Sequence, residues 1–362
     1  AQVTRLTERS HGLTNFLWSR KRAVEDVTLR QKAVSLEKEL WEKAVEKRED
    51  VDDLTLCFRY DEELSVVYMA ARLAGGYAAV RRALNEITKR DPAFAPKSLL
   101  DFGSGLGTVV WASHSCWSNT LKEMVCVDSS GPMNILAERL LKGDDERAEP
   151  HIQQVYFRQF LPVSPKVQFD LVVAAFTLSE LPSVKEREDA VLTLWRKTSS
   201  YLVLVENGTK EGHKILMEAR DTILKKQETT VYDSRPASVF APCPHELICP
   251  KLAREPVIPC NFQQLYQPLP LPGTEKFSYL ILTRAEPAVV NTLDWARLIA
   301  PVQRRTRHVH CRMCCSDGQL QHVVVTARKH SRDAYRCARS SDWGDWLPIF
   351  PKVTEDDQSG SE

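Results

Sequence analysis

The stretch from 98 to 128 constrains this chain more than any other. It begins Ser-Leu-Leu-Asp-Phe-Gly-Ser-Gly-Leu-Gly-Thr, continues through a helical segment over 108–120, and closes on Val-Cys-Val-Asp. Leu99 and Leu100 read as the end of a buried strand, and Asp101, Gly103, Gly105 and Gly107 as a tight turn. Glycines at alternate positions let the backbone pass close to a ligand where a Cβ would clash. Ser104 sits between two of them. Val125 and Val127 flank Cys126 in a second apolar strand that ends at Asp128-Ser129. An acid at the end of that strand is placed to accept hydrogen bonds from ribose hydroxyls. A dinucleotide fingerprint would read G-x-G-x-x-G; here the spacing is D-x-G-x-G-x-G. Loop, strand ends and distal acid together predict one α/β unit that takes a nucleoside cofactor.

The rest of the chain extends this unit. Leu29, Ala33, Leu36, Leu40 and Ala44 form one apolar stripe, predicting a helix over 20–49 with a charged opposite face. A second helix is expected over 61–89, interrupted at Gly75-Gly76 and ended by Pro92 and Pro96. From 97 onward, strand and helix patterns alternate. The run Phe-Asp-Leu-Val-Val-Ala-Ala-Phe over 169–176 suits a strand buried on both faces. Alternation of this kind implies a parallel sheet with right-handed crossovers and a ligand beyond the carboxyl ends of its strands. The expected organisation is an N-terminal helical region over 1–96 and a Rossmann-like domain over 97–240. A cysteine-rich, β-containing region over 241–350 follows, then an acidic, disordered tail over 351–362. With 362 residues the chain is long enough for such a division. No run of 18 apolar residues is present, so no membrane partner is expected.

Seven of the ten cysteines lie between Cys243 and Cys337, a clustering that suggests a metal site. Cys243-Pro-His-Glu-Leu-Ile-Cys249-Pro is followed by Cys260 and then by Cys311-Arg-Met-Cys314-Cys315. Four thiolates would hold an iron–sulfur cluster. Four ligands including His245 or His310 would hold a structural zinc. Buried, inert thiols are the third reading. An Asp317-Gly318 pair predicts a two-residue hairpin turn. The net charge of the whole chain is +1, so any nucleic-acid surface must be local. Residues 301–340 carry nine Lys/Arg and two Asp/Glu. Arg304, Arg305, Arg307, Arg312, Arg328, Lys329, Arg332, Arg336 and Arg339 alternate there with His308, His310 and Tyr335. Cations that neutralise phosphates and rings that stack on unpaired bases make this stretch the expected RNA-facing surface.

The glycine loop resembles motif I of class I S-adenosylmethionine-dependent methyltransferases. The longer series Tyr68-Met-Ala-Ala-Arg72, Gly76-Tyr77-Ala-Ala, Asp101-Phe-Gly-Ser-Gly-Leu-Gly, Leu204-Val-Glu-Asn-Gly208, Ala241-Pro-Cys-Pro-His-Glu and Ser341-Asp-Trp-Gly-Asp345 occurs in order. On it, nearly the whole chain resembles the Rsm22-type family. The resemblance implies a mitochondrial-matrix protein that binds the immature small ribosomal subunit through its rRNA and ribosomal proteins. It implies S-adenosylmethionine at Asp101, Gly103, Ser104, Gly105, Gly107, Asp128 and Ser129. It also implies a [4Fe–4S] cluster on Cys243, Cys249, Cys260 and Cys314. A catalytic site is harder to find. The segment after the fourth strand reads Ala175-Phe-Thr-Leu-Ser-Glu-Leu-Pro182, not the Asn/Asp-Pro-Pro-aromatic turn of amino-directed enzymes. No cysteine lies between Cys126 and Cys243 to serve a cytosine-C5 enzyme. The third strand ends without an acid for the adenine amine, Gln159 being the nearest polar residue. The sequence therefore favours an assembly factor over its alternative, an active rRNA (cytosine) methyltransferase.

Overall fold

The computed structural model describes residues 62–143, 147–164, 166–226, 235–267, 273–284 and 295–348. The expected helix over 20–49 and the acidic tail lie outside the described residues. One long helix, α1 (Glu62–Arg90), precedes strand β1 (Ser98–Phe102). Then come α2 (Thr108–Trp117), β2 (Glu123–Val127), α3 (Gly131–Lys142), β3 (Val155–Arg158) and β4 (Phe169–Ala175). After a short 3-10 turn over Leu178–Glu180, α4 (Val184–Arg196), β5 (Thr198–Asn207) and α5 (Lys210–Lys226) complete the alternating part.

Five parallel strands in the order β3-β2-β1-β4-β5 form the heart of the first sheet. Strand β8 (Gly273–Thr283) runs antiparallel beside β5. Its far edge carries β6 (Ser238–Ala241) and β7 (Phe262–Tyr266). The expected boundary at 240/241 thus falls at the end of a strand of this sheet, and β7 and β8 continue the same sheet. This doubly wound, mixed sheet with helices on both faces is the class I methyltransferase fold. Alternate residues of the strands point to opposite layers. Leu99, Leu171, Val173, Val203 and Ile281 meet α1 and α2, where Val80, Leu84, Ile87 and Val110 are fully buried. Leu100, Val172, Leu202, Leu204 and Leu280 meet α4 and α5 through Leu194, Trp195, Leu216 and Ile223. Helix α1 is continuous through Gly75-Gly76, where an interruption was expected. A Cβ at Gly75 would collide with the Glu275 carboxylate on β8, so glycine there serves close approach and not a break.

A second, antiparallel sheet holds β9 (Ala296–Leu298), β10 (Gln303–Arg304), β11 (Val309–Cys314), β12 (Leu320–Val325) and β13 (Trp346–Leu347). Two short helices, α6 (Ala327–His330) and α7 (Arg332–Ser340), follow β12. Val309, Cys311, Met313 and Val325 face a small core against Ala338 of α7. The β11–β12 turn is a three-residue loop, one longer than expected. Cys315 and Gln319 still pair across it (N···O 3.0 Å), and Gly318 takes φ +78°. A type I turn closed by a left-handed glycine fits the twist of the strands.

Candidate cofactor and metal sites

The sheet order reverses direction on either side of β1, between β2 and β4, and a doubly wound sheet binds ligands at such a point. The glycine loop leaves β1 there. Gly103, Gly105 and Gly107 have φ of +71°, +48° and +74°. The reason for glycine differs along the loop. At Gly103 a Cβ would fall on the Thr177 side chain, whose hydroxyl donates to the Phe102 carbonyl at 3.0 Å. At Gly105 a Cβ would meet no atom within 4 Å and would project into open space. Gly107 caps the start of α2. Asp128 ties the end of β2 to the loop: its Oδ2 accepts from the Gly105 N–H and its Oδ1 from the Ser130 N–H, each at 2.8 Å. Burial raises the Asp128 carboxyl above the usual range despite these two bonds. Asp101 is fully buried behind the loop, and among the described residues neither of its carboxylate oxygens has a partner. Burial and then the nearby Asp128 charge push its carboxyl well above the usual carboxylate range.

Gly103, Ser104 and Gly105 line a cavity open to solvent, together with Leu106, Thr108, Val109, Ala175 and Phe176, and with Arg72, Gly76 and Val80 of α1. Of the other expected cofactor residues, Asp128 reaches this cavity through Gly105, and Ser129 is exposed beside it. Gln159 is exposed with its amide over the start of α3, 3.5 Å from where a Gly131 Cβ would stand. The position after β4 is filled by structural residues. Phe176 has φ +60° and lies under the Arg72 guanidinium at 5.0 Å, while Thr177 braces the loop. Arg72 is in turn held by Glu275 at 3.1 Å and Asn207 at 3.2 Å.

The second cavity, also open to solvent, is lined by Cys243, Cys249, Cys260 and Cys314 with Pro242, Pro244, His245, Pro250, Lys251, Arg297, Ile299 and Leu320. Topology brings the four thiols together. β6 and β7 lie end to end on one edge of β8, so the connection over 242–261 leaves and returns within about 14 Å. It carries Cys243, Cys249 and Cys260. Cys314 comes from the end of β11, where it pairs in register with Arg297. Cys311 faces the small core instead, as do Cys315 and Cys337. Burial pushes the Cys243 thiol up to about 12 and raises Cys260 and Cys314 as well. Two imidazoles touch these sulfurs: His213 Nε2 lies 3.7 Å from Cys249 Sγ, and His245 Nε2 3.3 Å from Cys314 Sγ. Among the described residues, no three His, Cys, Asp or Glu side chains converge on the position of a single metal ion. The four thiols line one pocket together with the His245 imidazole.

The basic stretch divides in two. Arg304 is tied to the fold, donating to the carbonyls of Arg339 (2.6 Å) and Ser341 (2.8 Å) and to Asp342 (2.7 Å). Arg339 donates back to the Arg305 carbonyl at 2.8 Å. The side chains of Arg305, Arg307, Arg312, Arg328, Lys329, Arg332 and Arg336 are exposed. On the outer face of β11–β12, His310 stacks on His322 with centroids 5.2 Å apart. Cys314 continues the same face of β11, two residues beyond Arg312.

Comparison with known proteins follows the same line. The model of the family described as mitochondrial small ribosomal subunit Rsm22 matches residues 62–348. The chain belongs to the Rsm22 family. A human relative, ribosome assembly protein METTL17, mitochondrial, is 52% identical over 372 residues, covering 96% of this chain and 80% of that protein. The Rsm22-cox11 tandem protein 2, mitochondrial, of Schizosaccharomyces pombe is 26% identical, covering 80% of this Rsm22 chain and 43% of that protein. Among solved structures, magnesium protoporphyrin IX methyltransferase from Synechocystis with bound SAH is similar at 12% identity and a TM-score of 0.38. That match covers 72% of this chain and 99% of that one.

Proposed function

We propose that this Rsm22-family chain acts in the mitochondrial matrix as an assembly factor of the small ribosomal subunit. In this reading it carries S-adenosylmethionine and a [4Fe–4S] cluster and binds small-subunit rRNA. The human relative's name, ribosome assembly protein, supports the general role. The observation that carries the choice of factor over enzyme is the filling of the position after β4. There Thr177 braces the glycine loop and Phe176 lies under the Arg72 guanidinium, in place of an Asn/Asp-Pro-Pro-aromatic turn.

The cofactor fits the first site. The backbone of Gly103, Ser104 and Gly105 would hold the methionine part, and Asp128, with Ser129 beside it, the ribose. Asp101 and Gly107 shape the loop from behind. The cluster fits the second site, where Cys243, Cys249, Cys260 and Cys314 line one volume. The fixed wrap of Pro242, Pro244 and Pro250 supports this reading. Arg305, Arg307, Arg312, Arg328, Lys329, Arg332 and Arg336 would meet phosphates, with Arg304 and Arg339 holding β10 and α7 in place behind them.

The test is calorimetric titration with S-adenosylmethionine alongside a methyl-transfer assay on a small-subunit rRNA fragment. Binding without transfer is expected. Stoichiometric methylation of a cytosine would replace this reading with the enzyme.

A further inference from the structure

One buried cation near the four thiols has no acceptor for part of its fork. Arg220, on α5, is 1% exposed. Its Nε and Nη2 donate to Asp221 Oδ1 at 3.1 and 3.0 Å. Its Nη1 is buried and, among the described residues, has no partner. An orphaned N–H of a buried guanidinium is rare in folded proteins and calls for an acceptor that completes it. The surroundings say which. The cysteines that interact electrostatically with Arg220 are Cys243 first and Cys249 after it. Two turns earlier on the same helix, His213 is also 1% exposed and turns its Nε2 to Cys249. Its Nδ1 is likewise without a partner among the described residues. Helix α5 thus carries His213, in contact with Cys249, and Arg220 two turns further along, both buried.

The other cations close to the thiols are occupied differently. Arg297 is bound through both terminal nitrogens by the Glu86 carboxylate at 2.9 and 3.1 Å. Its Nε donates to the Pro242 carbonyl at 3.0 Å. Lys251 donates to the Pro259 carbonyl at 3.2 Å. Among the described residues, Arg220 alone combines full burial, a permanent charge and an unused donor near Cys243.

We propose that Arg220 is a positioning residue of the cysteine site, donating Nη1–H to the sulfur of Cys243 when that sulfur is the thiolate ligand of an anionic iron–sulfur group, and thereby raising the reduction potential of that group. The proposal rests on the cluster reading above. Its chemistry is that of outer-shell hydrogen bonds to ligand sulfur, which withdraw charge from the thiolate and favour the more negative, reduced state.

The experiment uses the full chain purified anaerobically, with iron and acid-labile sulfide analysis and a mediated redox titration followed by electron paramagnetic resonance. Wild type is compared with Arg220→Gln and Arg220→Lys. At a fixed potential, Arg220→Gln is expected to lower the reduced-to-oxidised ratio about tenfold, a downward shift of about 59 mV for a one-electron couple. Arg220→Lys keeps a charged donor and is expected to recover part of that shift. If Arg220→Gln folds but loses iron while Arg220→Lys keeps it, the need for a cation at this place is likewise met. An unchanged midpoint in Arg220→Gln at full iron content would overturn the proposal. So would equal loss of iron in both variants, which would mark a packing role. A wild-type chain that carries zinc and no iron would overturn the cluster reading itself, and the proposal with it.

Discussion

Asp128 shows how much one side chain can carry. Its two oxygens fix the Gly105 and Ser130 amides, so the residue that would hold the ribose also shapes the loop that would hold the methionine part. Asp128→Ala should therefore weaken S-adenosylmethionine binding by about 1.5–3 kcal/mol, the range for hydrogen bonds to a charged group, in a calorimetric titration. Gly105→Arg should abolish binding, because its side chain would project into the open side of the loop and its φ of +48° disfavours any residue but glycine; unchanged affinity in both variants would remove the site. At the second cavity, Cys249→Ser should bleach the brown absorbance expected of anaerobically purified protein. The sequence made the loop legible because its glycines and acids are close in the chain. Ser130, Thr177, His213 and Arg220 were not legible. Thr177 braces a loop 74 residues away and His213 touches a thiol 36 residues away, and nothing local marks either.

Among the elements, α1 has the widest reach. Arg72, Gly76 and Val80 line the cofactor cavity, and Glu86, further along the helix, binds Arg297, which lines the cysteine cavity. Arg297 also lies over the Trp346 ring at 4.1 Å. Removing one partner of a buried ion pair leaves an uncompensated charge, so Glu86→Gln should cost about 3–5 kcal/mol in denaturant unfolding. The pair also sets a pH dependence. Burial alone would raise the Glu86 carboxyl, but Arg297 overrides it and the carboxyl ends below its ordinary value. Its contribution is full above the ordinary carboxylate range and is lost as the pH falls through the lowered folded value. The acid-side loss of stability should therefore flatten in Glu86→Gln; an unaltered acid profile would show that the pair does not report on folding. The sequence placed α1 but broke it at Gly75-Gly76, because paired glycines are more often punctuation than close approach. What decides against a break is the Glu275 carboxylate lying against Gly75, from a strand far along the chain. The antiparallel β8 was also hidden: its apolar run marks a strand but does not give its direction.

For the whole molecule, cofactor loop, cysteine cavity and basic face form one connected series. The 242–261 connection springs from the first sheet, Cys314 ends the strand that carries His310 and Arg312, and α1 lines the first cavity and reaches the second through the Glu86–Arg297 pair. The identity of the fold was readable from the motif order, while the division of the arginines into fold-bound and solvent-facing sets required the folded chain. Loss of the proposed cluster should loosen the second sheet and displace its outer face, since ligands from distant segments couple metal binding to folding. The measurement that bears most directly on the account is binding of a small-subunit rRNA fragment to the cluster-loaded chain across a salt series. Arg305→Glu, Arg307→Glu and Arg312→Glu are combined in one variant for comparison. The account predicts weaker binding and a log–log salt slope smaller by about 2, from roughly 0.7 for each single-strand phosphate that is no longer neutralised. Equal affinity and equal slope in wild type and variant would contradict it.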